Sequence, residues 1–201
     1  MFIIGLTGGI ASGKSTVSQV LHELGAAIID VDQVAKDLQQ PHTKVWQNIV
    51  DKFGREILQE DERFDRKALG QVVFNNPEAL QMLNGIVHPG VIERSYEMIS
   101  ELERDGQNVA VLDVPLLIEA KMTSMADEIW LVAVPEEVQI TRLMARNGFT
   151  REEALARLQS QMPLKDKRSY ADIIIDNSGS MEETRQMVVI LWKELLHRIA
   201  V

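Results

Sequence analysis

The chain has 201 residues, 45% of them hydrophobic and none of them cysteine. That suits roughly one domain carrying an insertion, and it excludes a disulfide framework, a thiolate metal site and a thiol nucleophile. A net charge of −9 argues against a general nucleic-acid binder, and the absence of a long apolar run or a signal-peptide core leads to the expectation of a cytoplasmic protein without membrane contact.

Residues 2–7 predict a short buried strand that runs into a Gly-rich turn. A helix begins near Lys14. Its apolar positions Val17, Val20, Leu21 and Leu24 keep helical spacing, and Gly25 ends it. Residues 26–29 read as a second strand with Asp30 and Asp32 at its C-terminal end, and strand alternation sends both carboxylates to one side. From about 33 to 105 the pattern is helical, broken near Pro41, in the polar stretch 54–65 and at Asn76-Pro77. His88 before Pro89 reads either as a helix end or as an acceptor contact. Further strands are expected at 109–114, 129–134 and 173–175, each a continuous apolar run suited to burial on both faces. A last helix covers about 181–198. Strand–helix alternation of this kind predicts an α/β fold, a parallel sheet flanked by helices with right-handed crossovers. The tryptophans Trp46, Trp130 and Trp192 read as core residues.

The segment Gly8-Gly9-Ile10-Ala11-Ser12-Gly13-Lys14-Ser15-Thr16 fills the G-x-x-x-x-G-K-[ST] pattern between a predicted strand and a predicted helix. Its glycines let the backbone approach closely, so that successive N–H groups cradle phosphate oxygens at a helix N-terminus. Lys14 is expected on the β- and γ-phosphates, Ser15 on Mg²⁺ and Thr16 on a nearby phosphate oxygen. The loop alone leaves kinase, switch and motor ATPase open. Neither Asn-Lys-x-Asp nor Leu-Ser-Gly-Gly-Gln occurs, so guanine-reading switches and transporter ATPases lack their marks.

Two further features favour a small-molecule kinase. Asp32, beyond a strand end, can accept a hydroxyl proton or steer Mg²⁺; its alternative is a helix cap. Asp113 can reach Mg²⁺ through water or hydrogen-bond the loop. The stretch 142–168 gathers Arg142, Arg146, Arg151, Arg157, Lys165, Lys167 and Arg168 against Glu152, Glu153 and Asp166. It reads as a basic lid closing on phosphates, with a solvated helical face as its alternative. A nucleoside or nucleotide kinase, or an ATP-holding regulator, would carry the same loop.

The chain resembles the dephospho-coenzyme A kinase family along nearly its whole length. The resemblance rests on Leu6-Thr7-Gly8-Gly9-Ile10, Ile29-Asp30-Val31-Asp32 with Ala35, His88-Pro89, and Asp113-Val114-Pro115-Leu116-Leu117-Ile118-Glu119. It continues through Gln139-x-x-Arg142-x-x-x-Arg146, Arg157 with Gln161, Lys167, Ala171-Asp172 and Ile175-Asp176-Asn177-Ser178-Gly179. It implies a P-loop NTPase fold in a single 1–201 domain. The core covers about 1–32, 106–141 and 169–201, a helical acceptor-binding insertion about 33–105, and a helical lid about 142–168. It implies transfer of the γ-phosphoryl group of ATP, with Mg²⁺, to the ribose 3′-hydroxyl of dephospho-coenzyme A. The products are coenzyme A and ADP, and no obligate protein partner is expected. Asp32, Lys14 and Arg142 become the catalytic residues. Gly8, Gly9, Ala11, Ser12, Gly13, Ser15, Thr16, Arg146 and Asn177 join the ATP site, and Lys36 and His88 join Asp32 at the acceptor. Four positions depart from the family's habit: Lys36 for Arg, Gly90 for a bulkier residue, Ala11 for Gly and Asn147 for Asp.

Overall fold

A computed structural model describes residues 1–74 and 76–199. Among them, the strands β1 (Phe2–Gly8), β2 (Ala27–Asp30), β3 (Val109–Asp113), β4 (Glu128–Ala133) and β5 (Ile173–Asp176) form one sheet in the order β2-β3-β1-β4-β5. β1 pairs in parallel with β3 and β4, and β4 in parallel with β5. The helices are α1 (Lys14–Glu23), α2 (Val31–Leu38), α3 (Lys44–Phe53), α4 (Arg66–Phe74), α5 (Pro77–Arg104), α6 (Glu136–Asn147), α7 (Arg151–Gln159), α8 (Leu164–Lys167) and α9 (Met181–Ile199). The chain divides into two compact units, one of Met1–Ile29 with Glu101–Val201 and the other of Asp30–Ser100.

The first unit is built on the sheet. Ile4, Leu6, Val111, Trp130 and Val132 from its strands meet Val17 and Leu21 of α1 and Val188, Trp192 and Leu195 of α9, all buried. The α9 residues recur four and three apart, which lines them along one helical face. Trp130 and Trp192 are core residues, as their sequence context suggests. β3 is buried throughout, and β1 from Ile4 and β4 from Ile129 onward, as a two-sided sheet requires. The edge strand β5 departs from the expectation of burial on both faces: Ile174 is 39% exposed, while Ile175 on the opposite face is buried.

The second unit has its own core of Val45, Ile49, Ile57 and Leu69. Thr43 caps α3 by accepting the Trp46 N–H at 3.1 Å, and the Trp46 indole donates to the Glu62 carbonyl at 2.9 Å. Asp65 caps α4, and Asn76 caps α5 just ahead of Pro77. Within the stretch 54–65 lie a short 3-10 turn, Arg55–Ile57, and an antiparallel bridge between Leu58 and Phe64.

Two expectations are corrected here. β2 stops at Asp30, whose carboxylate accepts the Gln33 N–H at 3.0 Å and caps α2. Asp32 is therefore in the first turn of a helix, and the strand-alternation argument does not apply to it. The cap is Asp30 and not Asp32. His88-Pro89 also does not end a helix, because α5 runs unbroken through Pro89. Pro89 forfeits one backbone hydrogen bond, about 3 kcal/mol in an isolated helix, and the packing of α5 offsets it. Gly90 lies against α3: a β-carbon there would come within 2.9 Å of Val45 Cγ2, so the bulkier residue common in the family would need α3 to shift.

Candidate active site

β1 delivers the chain into the phosphate loop at Gly8, and α1 leaves it at Lys14. Gly13 stands at φ +87°, and a β-carbon there would also strike the side-chain amide of Asn177. At Gly8 and Gly9 the constraint is space. A β-carbon on Gly8 would lie 2.9 Å from the Val132 carbonyl oxygen, and one on Gly9 2.5 Å from Gln139 Nε2. Ala11 adopts φ +57° while keeping a methyl, which packs beside Ile140, Leu143 and Ala154. The loop folds back on itself through Ser12 N–H to the Gly9 carbonyl and Thr16 N–H to the Gly13 carbonyl, both 3.0 Å. The opening amides of α1 ahead of Thr16 precede any intrahelical acceptor, which makes this end an anion cradle.

Side chains from distant segments hold the loop in shape. Arg142 on α6 donates to the carbonyls of Ser12 at 3.3 Å and Asn177 at 2.8 Å. Asn177 donates to the Ser12 carbonyl at 2.7 Å and accepts from the Thr184 hydroxyl at 2.8 Å. Gln139 donates to the Ile10 carbonyl at 2.6 Å, and the Ile10 N–H donates to Gln161 at 3.0 Å. Gln139 and Arg142 are three apart on one helix, so the Gln-x-x-Arg spacing was a usable signal for this clamp. Lys14 forms an ion pair with Asp113, which ends β3 beside β1. Of the two roles open to Asp113, the bond to the loop is the one made here. The Ser12 hydroxyl is buried without a hydrogen-bond partner among the described residues.

Ser15 opens α1 with an exposed hydroxyl. No group of three or more His, Asp or Glu able to hold a metal occurs among the described residues. One hard oxygen donor beside a phosphate cradle fits a divalent cation carried chiefly by nucleotide phosphates.

The basic stretch is less uniform than a lid of free cations. Arg151 pairs with Glu137 at 2.6 Å, and its hydrogen bond holds that carboxyl below the usual range. Arg157 lies 5.7 Å from the Phe149 ring centre. Arg146, one turn beyond Arg142, bonds Asn147 at 2.9 Å and is exposed. Lys167 is fully buried, where it donates to the Pro115 carbonyl at 2.9 Å and pairs with Glu119 at 3.0 Å. Composition could not reveal this, because a buried lysine counts the same as an exposed one.

Asp32 and Lys36 stand four apart on α2, in the second unit. Both line a cavity of about 780 Å³, together with Arg63, Asp65, Arg66 and Lys67. The last four lie within the stretch 33–105 implied to bind the acceptor, where no motif singles them out. His88 is half-buried on α5 and is not among the residues lining that cavity.

Residues 2–183 match the family described as dephospho-CoA kinase. A dephospho-CoA kinase of Carboxydothermus hydrogenoformans is 56% identical over 194 residues, 95% of this chain and 94% of that protein. The solved dephospho-CoA kinase of Campylobacter jejuni superposes with a TM-score of 0.72 at 30% identity, covering 96% of each chain. Shikimate kinase from Aquifex aeolicus shares the fold at 20% identity, with a TM-score of 0.51 and 96% of each chain covered. The chain belongs to the dephospho-CoA kinase family.

Proposed function

We propose that the chain carries out its family's reaction with the residues around its phosphate loop and with Asp32. It is an ATP-dependent kinase of dephospho-CoA that serves coenzyme A biosynthesis. The observation that carries the residue assignment is the loop itself: a left-handed Gly13 leading into Lys14 at the head of α1.

ATP phosphates enter the cradle of loop amides. Lys14 exchanges Asp113 for the β- and γ-phosphate oxygens. The unpaired Ser12 hydroxyl gains an acceptor, which removes a burial cost of about 1–3 kcal/mol. Gly8, Gly9, Ala11 and Thr16 shape or contact this pocket, and Arg142, Arg146 and Asn177 flank the nucleotide. Ser15, together with phosphate oxygens, would hold Mg²⁺, which when bound would supply charge neutralisation at the transferring group. Asp32 orients the ribose 3′-hydroxyl and takes its proton late, Lys36 joins it in that cavity, and His88 on α5 meets the acceptor outside it. Phosphoryl transfer is largely dissociative, so a modestly basic carboxylate suffices. The insertion binds the acceptor, and the lid closes over the phosphates. The reaction requires no obligate protein partner, and a cytoplasmic address suits an enzyme that consumes ATP.

The test mixes pure protein, ATP, Mg²⁺ and dephospho-CoA and follows coenzyme A by mass. Asp32→Asn keeps size and one acceptor oxygen but removes basicity, so turnover should fall by roughly 10²–10⁴-fold. ATP affinity by calorimetry should hold. Turnover near that of the parent would take Asp32 out of the chemistry.

A further inference from the structure

Residues 30–100 carry eight basic and twelve acidic side chains. Four of those eight, Lys36, Arg63, Arg66 and Lys67, line the one cavity of about 780 Å³, and only two of the twelve, Asp32 and Asp65, face it with them. The cavity is thus net positive inside a chain of net charge −9. Asp65 is already engaged: its carboxylate accepts the Lys67 N–H at 2.8 Å and the Ala68 N–H at 3.1 Å. Arg63 has Asp61 at 3.6 Å. Among the described residues, Lys36, Arg66 and Lys67 have no carboxylate within ion-pair reach.

The position of two of these cations is itself unfavourable. Arg66 and Lys67 are the first two residues of α4, whose first turn holds no acidic residue. Positive charge at a helix N-terminus opposes the helix dipole. Asp65, the cap of this helix, sets one carboxylate against the two cations, and an anion bound there would offset the remaining positive charge and the mutual repulsion of the cations. Guanidinium and ammonium donors converging on one cavity match phosphate oxygens.

Resting on the reaction proposed above, we propose that Arg66 and Lys67, flanked by Arg63 and Lys36, hold the diphosphate bridge of dephospho-CoA. The diphosphate is the anionic part of that acceptor, since its ribose hydroxyls and its pantetheine arm are uncharged. These residues therefore act in binding and specificity. They select an acceptor bearing a diphosphate over a bare nucleoside, and they leave the transfer step to Asp32 and Lys14.

The experiment compares the parent with the Arg66→Gln, Lys67→Gln double variant, using dephospho-CoA as acceptor at low and high potassium chloride. Removing cations from the first turn of α4 should not weaken the helix, and thermal melts check this. The KM for dephospho-CoA should rise about tenfold or more at low salt, the scale of losing one charge-assisted contact. The turnover number and the KM for ATP should stay within about twofold, as expected for lost uniform binding. The salt dependence of the acceptor KM should flatten. An acceptor KM within about twofold of the parent's, or a fall in turnover with KM unmoved, overturns the assignment. Failure of the parent itself to make coenzyme A would instead overturn the reaction on which it rests.

Discussion

The two left-handed residues of the phosphate loop show how differently a single methyl can weigh. Gly13 at φ +87° has no room for a β-carbon, since Asn177 fills the space. Ala11 at φ +57° has room, and its methyl contributes to the cluster of Ile140, Leu143 and Ala154. A left-handed alanine costs about 1–2 kcal/mol, and burial of a methyl returns about 0.8 kcal/mol or less. Glycine at 11 would also free the unfolded chain, at about 0.4–1 kcal/mol. The opposing effects nearly cancel, so Ala11→Gly should change stability by less than about 1 kcal/mol. Gly13→Ala meets strain and collision together and should cost more than about 2 kcal/mol, with loss of ATP binding. Urea denaturation of both variants checks the contrast; equal losses would show that the two positions are under one constraint. The loop was legible in the sequence because its pattern lies within nine consecutive residues. The Lys14–Asp113 pair was not, because its partners lie 99 residues apart and only the pairing of β1 with β3 brings them together.

Among the elements, α8 is four residues long and cannot persist on its own length. Lys167 fixes it, with its ammonium bound to the Pro115 carbonyl and to Glu119, while the same carboxylate accepts the Met162 N–H at 3.2 Å. Lys167 thereby ties the segment after α7 to the loop after β3. This accounts for Asp113-Val114-Pro115-Leu116-Leu117-Ile118-Glu119 and Lys167 as parts of one structural clamp. Lys167→Met leaves Glu119 without its cation and should destabilise by about 2–4 kcal/mol, below the full buried-pair cost because Glu119 is partly exposed. Arg168→Met, next in sequence but exposed, should stay within about 0.5 kcal/mol. Replacing both partners with Lys167→Met and Glu119→Leu should recover part of the loss, because no unpaired charge remains. A double-mutant cycle from urea midpoints measures this; simple additivity would mean that the pair is not coupled. Periodicity located α9, which buries one continuous face, and continuous apolar runs located the central strands, which are covered on both. The helix-end alternative at His88-Pro89 did not hold, because tertiary packing overrides a local helix breaker.

For the molecule as a whole, the sheet order β2-β3-β1-β4-β5 carries information that no local pattern held. β1 sits between β3 and β4, so the chain's later strands depart to both sides of it, and its C-terminal end is a topological switch point. That is where the phosphate loop lies. The last helix, α9, runs back over the strands that define this point, and an ion pair anchors it at each end. Arg185 pairs with Glu23 of α1 at 2.6 Å, and Arg198 pairs with Glu128 at the start of β4. The Glu128 pair is the more sheltered, and the Trp130 indole also donates to its carboxylate at 3.1 Å. The Arg198 hydrogen bond holds the Glu128 carboxyl below its ordinary value of 4.5. A carboxyl depressed in the folded state contributes stability above its unfolded pKa and loses it as the pH falls through the folded value. Arg198→Ala should therefore lower stability by roughly 0.5–1 kcal/mol near neutral pH, a drop of about 1–4 °C in melting temperature for a chain of this size. The gap between parent and variant should narrow as the pH falls below about 4.5 and close once the pH has passed the lowered folded value, where Glu128 is protonated in both. Melting curves for the two proteins across that range decide it. A gap that persists in acid would mean that Arg198 holds α9 by the packing of its stem, and that the charge pair is incidental.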